Sequence, residues 1–386
     1  MRICLVYDCL YPHTVGGAER WYRNLAERLS AEGHDVDYVT LRQWDRGAAA
    51  GVPGVRVVAV GPRLALYTRS GRRRIGPPLI FGLGVLAHLA LHGRRYDVVH
   101  TASFPYFSLL AAALVRPHRH FALVVDWHEV WSRSYWREYL GGFGGRCGEA
   151  VQAACLRIPQ RAFCFAHMTA RRLRELGVRG EVKVLEGEYS GSLASPDPRP
   201  AEPVVVFAGR HIPEKRAPAL VPAIDRARHT MADLGCVIFG DGPERELVLE
   251  AIDRLGLGGV VQAPGFVDSD SVEEALSEAL CMVLPSSREG YGLIVVEAAS
   301  MGVPSVVVAG EDNAAVDLVV EGVNGFVAAS ASPEALADAI VRVHDCGDAL
   351  RRSTAEWFHH NARRLSLGQS LETVVETYAA PSRARL

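Results

Sequence analysis

The chain has 386 residues, 49% hydrophobic and 22% charged, a globular composition long enough for two domains or more. Its net charge of −2 gives no general electrostatic case for nucleic acid or an anionic membrane as partner. Eight cysteines are scattered without CxxC spacing, most in apolar runs, and read as buried small side chains in a reducing compartment. The N-terminal run Met1 to Tyr7 is a strand too short for a secretory core, so a cytoplasmic protein is expected.

Arg2 to Tyr7 is the first predicted strand. A loop follows, ending in Gly16-Gly17, and Ala18 to Ser30 has helical spacing through Trp21, Leu25 and Leu29. A strand, a glycine loop and a helix can turn a helix N-terminus toward an anion, although the same letters also make a plain tight turn. Val36 to Thr40, Val55 to Val60, Asp97 to His100, Phe121 to Val125, Ala162 to Ala166 and Val182 to Leu185 continue as strands, separated by helices. That alternation implies a parallel sheet wrapped by helices. Ile75 to Leu91, preceded by Arg72-Arg73-Arg74, is apolar but carries Gly76, Pro77, Pro78 and His88. It falls short of the roughly 20 residues of a span and reads as a buried helix; a basic-flanked surface helix touching a membrane is the alternative.

Asp126-Trp127-His128-Glu129 follows the strand ending at Val125. A histidine at the carboxyl end of a buried strand is placed for chemistry, but on position alone a hydrogen-bonded structural histidine is the stronger reading. The aromatic and glycine-rich segment Tyr135 to Gly145 is expected to be a mobile flap or acceptor-binding loop, with Tyr11, Trp127 and Tyr135 as candidate acceptor contacts.

Ser190 to Pro203 is a linker by composition, with 191–203 as its core. It separates a domain over residues 1–190 from one over 204–364, and 365–386 is expected as a C-terminal helix returning to the first. In the second half Val204 to Ala208, Cys236 to Phe239, Val260 to Gln262, Leu280 to Leu284 and Ser305 to Val308 read as strands. Pro333 to His344, Ala349 to Arg363 and Leu367 to Tyr378 read as three closing helices.

The chemistry-bearing residues of this half sit just after strands. Only Lys183 and Lys215 are lysines among 42 basic residues, so Lys215, in the loop Gly209-Arg210-His211-Ile212-Pro213-Glu214-Lys215-Arg216, stands out. Arg210 and Lys215 put a bidentate donor and a compact cation in one loop, a pairing suited to a diphosphate. Gly240 closes the next strand, and the main chain at Phe266 and Val267, after the third, could read a nucleobase edge. Arg288 to Glu297 crosses from a buried strand to a helix, with Glu289 in the loop and Glu297 on the helix. The main-chain NH groups of Tyr291, Gly292 and Leu293 lie at the helix start, where they can face phosphate. A solvated helix face is the plain reading of paired glutamates, but Glu297 has apolar neighbours and needs partners if buried.

With Gly16-Gly17, Arg210 and Lys215, and Glu289 eight residues before Glu297, nearly the whole chain resembles the retaining nucleotide-sugar glycosyltransferases of the large family four. The resemblance implies an α/β GT-B fold: two Rossmann-like parallel-sheet domains facing across a cleft, the C-terminal helices crossing back to the first. It implies metal-independent sugar transfer with retention, no cofactor beyond the nucleotide diphosphosugar co-substrate, donor on the second domain and acceptor on the first. Arginine and lysine would hold the diphosphate, Glu289 the sugar and Glu297 the ribose, with His128 beside the sugar; His128 and Glu289 are the catalytic candidates. Asp35-Val36-Asp37 and Asp268-Ser269-Asp270 then match a metal-binding DxD in spelling only. Two letters depart from the pattern: Arg216 stands where glycine is usual, and Tyr291 where phenylalanine is.

UDP and GDP sugars both fit. A small-molecule acceptor of specialised metabolism, such as an antibiotic precursor, is expected; a polysaccharide or lipid-linked acceptor is the alternative. A sugar-nucleotide 2-epimerase shares the fold. A nicotinamide dehydrogenase would need a GxGxxG that the chain lacks, and a periplasmic sugar-binding protein would need a leader. Nothing favours nucleic acid as partner, and monomer and homodimer both stay open.

Overall fold

The computed structural model describes the whole chain except residues 15, 46–50, 67, 69–72 and 380–386. Among the described residues, one compact unit takes the chain to Thr68 and again over residues 73–186, together with the segment from Gly368; the other takes Gly187–Leu367.

The first unit is built on seven parallel strands: β1 (Arg2–Val6), β2 (Asp35–Thr40), β3 (Arg56–Ala59), β4 (Val98–Ala102), β5 (Ala122–Trp127), β6 (Arg161–Cys164) and β7 (Val182–Val184). Their order is β3-β2-β1-β4-β5-β6-β7. Helices α1 (Gly17–Ala31), α2 (Gly76–His92), α3 (Tyr106–Arg119), α4 (Arg133–Leu156) and α5 (His167–Glu175) make the crossovers. The central strands β4 and β5 are buried almost throughout, as parallel strands covered on both faces must be.

The second unit carries β8 (Glu202–Ala208), β9 (Gly235–Phe239), β10 (Val261–Gly265), β11 (Ala279–Leu284), the two-residue β12 (Arg288–Glu289), β13 (Ser305–Val308), the two-residue β14 (Asp312–Asn313) and β15 (Gly325–Ala328). Six of them form a parallel sheet in the order β10-β9-β8-β11-β13-β15, while β12 pairs with β14. Its helices are α6 (Leu220–Ala227), α7 (Arg245–Leu255), α8 (Ser269–Glu278), α9 (Leu293–Ala299) and α10 (Pro333–Asn361). Residues 190–201 carry no regular structure and lead into β8. The last helix, α11 (Leu367–Ala379), lies on the first unit: Arg161 donates to the Thr377 carbonyl at 2.5 Å, and Lys183 to its hydroxyl at 3.2 Å.

Three expectations need correcting. The segment Tyr135 to Gly145 is no loop: it belongs to α4, broken at Gly141, whose φ of 76° interrupts the turn. The expected closing helices Pro333 to His344 and Ala349 to Arg363 stand, since the run α10 is interrupted between them at Gly347, whose φ is 52°. β15 and the β12–β14 pair escaped notice because Gly325–Ala328 is short and two residues show no periodicity. The apolar helix at 76–92 is buried on one side only; Arg72, the first arginine of its basic flank, lies outside the described residues.

Candidate active site

In both sheets the strand order reverses next to the first strand, between β1 and β4 and between β8 and β11. Open parallel sheets bind ligands outside the carboxyl ends of the strands at such switch points. The candidate residues fall on these two edges and are taken one unit at a time.

On the second unit, Lys215 follows β8 and Glu289 follows β11, and the switch point brings them together. Lys215 Nζ lies 2.5 Å from Glu289 Oε1, and Ser286 Oγ donates to the same oxygen at 2.6 Å. Both side chains are largely shielded, Lys215 at 21% and Glu289 at 9% exposure. The two loops are also tied by their backbones, Ser287 N donating to the Glu214 carbonyl at 2.8 Å. Asn313 completes the frame by donating to the carbonyls of Ser286 and Val308. Ser286 was visible in the sequence as part of a serine pair; Asn313 had no local signal, because its role depends on the β12–β14 pairing.

Arg210 is exposed on the β8 loop and pairs with no carboxylate among the described residues. Gly240 has a φ of 120°, and a Cβ there would stand 1.8 Å from the Gly209 carbonyl oxygen, so only glycine lets these loops touch. Gly292 opens α9 at φ 101°, with Tyr291 buried before it and Leu293 half-buried after it. Glu297 is half-buried on α9. Phe266, 83% exposed, and Val267 lie between β10 and α8. Of these predicted donor residues, Lys215 and Glu289 are in direct hydrogen-bonded contact, and the others follow neighbouring strands of the same sheet.

On the first unit, His128 directly follows β5. Its ring lies flat on Phe165, centroids 4.6 Å apart, with Tyr22 at its edge. Its Nε2 is buried with no hydrogen-bond partner among the described residues. Burial pushes its pKa down to about 4; Asp126 pulls the other way, and His100 adds to the fall. The imidazole is therefore neutral at ordinary pH.

Beside it runs a buried polar chain that the motifs did not reveal. Asp126 accepts from Trp21 Nε1 at 2.8 Å and lies 2.7 Å from His100 Nε2, and His100 Nδ1 meets the Tyr378 hydroxyl at 2.5 Å. Burial would raise Asp126, yet His100, His128 and Trp21 together hold it below the usual carboxylate range. The signal available in sequence was an aspartate and a histidine inside apolar strands, since such groups need partners.

Trp127 is a correction. It is fully buried, its Nε1 donating to Gln160 at 2.8 Å, because β5 is covered on both faces as far as its last residue. Tyr135, on α4, is half-buried and packs edge-on to Trp131, centroids 4.7 Å apart. Tyr11 is half-buried beneath the guanidinium groups of Arg20 and Arg23. Gly16 precedes and Gly17 opens α1, but a Cβ on Gly16 would lie 2.3 Å from Glu19 Oε2: the positive end of α1 already faces a carboxylate of its own.

The DxD spellings have structural occupations. Asp37 is bound by Arg56 and by the Tyr96 hydroxyl. Asp268 caps α8 by accepting from Ser271 N at 2.8 Å.

Comparison with known proteins agrees with this layout. The family model for glycosyl transferases group 1 matches residues 193–363, and that for glycosyltransferase family 4 matches 15–186. The 2-deoxystreptamine N-acetyl-D-glucosaminyltransferase of Niallia circulans is 23% identical over 325 residues, 76% of this chain and 79% of that one. The alpha-D-kanosaminyltransferase of Streptomyces kanamyceticus is 30% identical over 154 residues, 40% of this chain and 39% of that one. Glycogen synthase of Mycobacterium tuberculosis is 25% identical, covering 91% of this chain and 88% of its own. Sucrose-phosphate synthase from Thermosynechococcus elongatus superposes with a TM-score of 0.76 at 21% identity, covering 98% of both chains. Anabaena HepE in complex with UDP-glucose does so at 0.69 and 18% identity, covering 98% of this chain and 99% of that one. With both halves matched and each built on its own parallel sheet, the chain belongs to the group 1, family-4-type glycosyltransferases and is a sugar-transferring enzyme of the GT-B fold.

Proposed function

We propose that the enzyme takes its sugar from a nucleotide diphosphosugar held on the second unit and transfers it without a metal and with retention. The observation that carries this is the Lys215–Glu289–Ser286 cluster at the β8/β11 switch point, with Arg210 exposed on the same loop. Lys215 and Arg210 offer positive charge where the departing diphosphate gathers negative charge, which is the task a divalent ion has elsewhere. Glu289, locked in place by Lys215 and Ser286, is oriented to accept from hydroxyls of the sugar. Glu297 accepts from the ribose, and the main chain at Phe266 and Val267 meets the base. The anomeric carbon–phosphate oxygen bond breaks, the bond to the acceptor forms on the same face, and the acceptor proton goes to the leaving phosphate. No protein nucleophile is needed. His128, neutral and stacked, positions a sugar hydroxyl.

UDP is the favoured nucleotide because Anabaena HepE, a structural relative, is described with UDP and UDP-glucose; GDP is the second choice. A small ring acceptor bearing hydroxyl or amino groups is supported by the likeness to the 2-deoxystreptamine N-acetyl-D-glucosaminyltransferase. A lipid-borne acceptor is the second reading, favoured by the exposed apolar side of α2. The cytoplasm is the proposed site of action.

A thermal-shift screen of UDP, GDP, ADP and TDP tests the donor assignment. Nucleotide at about 100 times its Kd stabilises by about 2.7 kcal/mol, a shift of several degrees. UDP should raise Tm most, and Lys215→Ala should lose most of the shift. No shift with any nucleotide, or an unchanged shift in the variant, would sink the assignment. Full turnover in EDTA is the expected result for metal independence.

A further inference from the structure

α2 is apolar all round, although only one of its sides has protein to pack on. Pro77, Phe81, Val85 and Leu89 face inward. On the other side Ile75, Leu79, Ile80, Leu83 and Leu91 are exposed, Leu83 at 67% and Leu91 at 78%. At 3.6 residues per turn these five positions fall within an arc of about 160°, one outward side of the helix. A surface helix ordinarily looks like α7, whose outward residues Glu246, Glu250, Asp253 and Arg254 are charged. α2 carries no charged residue on its stripe, and it is the one helix among the described residues long and apolar enough to cross a bilayer. Its inner side is committed to the unit, so it cannot span.

The charge at its two ends is of one sign. In sequence, residues 46–125 hold eleven arginines against one carboxylate, Asp97, and of these arginines Arg56, Arg63 and Arg73 are paired with Asp37, Asp45 and Asp8 from outside that stretch. Exposed Arg74 stands at the start of α2, and exposed Arg94 and Arg95 at its end; none pairs with a carboxylate among the described residues. A bare apolar stripe with arginines at both ends complements a bilayer interface: acyl chains for the leucines, phosphate headgroups for the guanidinium groups.

We propose that the first unit docks on an anionic phospholipid surface through the outward side of α2, lying in the interface plane. This goes beyond the donor and acceptor assignments and stands whether the acceptor is soluble or lipid-borne.

The test is sedimentation of the full chain with vesicles of phosphatidylcholine alone and of an equal mixture with phosphatidylglycerol. Wild type should pellet with the mixture, remain in solution with phosphatidylcholine, and release in high salt. The combined Leu83→Glu and Leu91→Glu variant, altered only at exposed positions, should lose partitioning by about tenfold or more, as should Arg94→Glu with Arg95→Glu. Both should keep the wild-type Tm and nucleotide response, so a failed donor assignment and a failed docking surface read differently. Wild type staying in solution with the mixture, or the glutamate variant pelleting like wild type, overturns the proposal. So does a wild-type dimer in light scattering that the glutamate variant dissolves in the absence of vesicle binding, because that outcome assigns the stripe to a second copy.

Discussion

The two sheet edges organise their chemistry in opposite ways. On the second unit the candidate groups lie within a few residues of strand ends and meet across the switch point, as Lys215 and Glu289 do. On the first unit His128, just past a strand end, stands beside a network drawn from far along the chain: Trp21 and His100 meet Asp126, and Tyr378 meets His100. The first arrangement handles charge in a half-shielded loop. The second holds a neutral imidazole against a buried carboxylate network. Loops supply ligand contacts with short sequence reach, whereas a buried polar network must recruit partners wherever the fold brings them.

If the loop cluster does the electrostatic work, Glu289→Gln should have the largest effect. The amide keeps an acceptor for Ser286 but removes the charge that orients Lys215, and turnover should fall about 10²- to 10³-fold. Steady-state kinetics with a saturating donor would read it; a loss under tenfold would shift the chemistry to the other edge.

His128→Ala should rank next, with kcat down about 10²-fold and donor affinity by calorimetry little changed. The held-down pKa sharpens the contrast. A group held near 4 shows no kinetic limb near 6.5, so kcat should be flat for this residue between neutral pH and mild acid. Its effect on stability has a definite sign. Folding favours the neutral ring, so its contribution is complete above the unfolded pKa and is lost as pH falls toward 4. About 2 kcal/mol is gone by pH 5. Melting at pH 7 and pH 5 should show a larger drop in wild type than in His128→Phe.

This contrast also explains what was legible in the sequence. The strand alternation, the two halves and the donor loops were readable, because buried parallel strands are continuous apolar runs and their functional groups follow at once. β11 is the clearest case, six residues all buried with the serines and Glu289 just beyond. Trp127 misled because an aromatic next to a candidate histidine invites a ligand reading, while it is the last residue of a strand covered on both faces. Tyr135 to Gly145 misled because glycines suggest a loop, yet only Gly141 leaves the helical region. The Tyr378–His100–Asp126 chain was illegible, as no local pattern spans such sequence separations. The bare side of α2 was hidden by composition: an apolar helix spells the same whether one side or both are covered.

Tyr378→Phe should have a smaller, purely structural effect. It removes the hydroxyl 2.5 Å from His100 Nδ1 in a buried setting, costing about 1–3 kcal/mol. Nucleotide shift on the second unit should be unchanged. If it falls, the two edges are less independent than the comparison holds.

The smallest effect should come from Arg216. The family pattern places glycine there, and this chain keeps the conformation glycine favours: Arg216 has a φ of 52° and a ψ of 34°, in the left-handed region. That geometry costs an ordinary residue roughly 1–2 kcal/mol, and glycine gives back roughly 0.5–1 kcal/mol of it through the freedom of its unfolded chain. Arg216→Gly should therefore stabilise by about 0.5–1 kcal/mol, measured by denaturant midpoint. Lys215 remains tied to Glu289 either way, so nucleotide affinity separates two explanations of the arginine. Unchanged affinity makes it a tolerated departure. A fall of about tenfold makes Arg216 a third cation of the donor loop, retained against its strain because it meets phosphate.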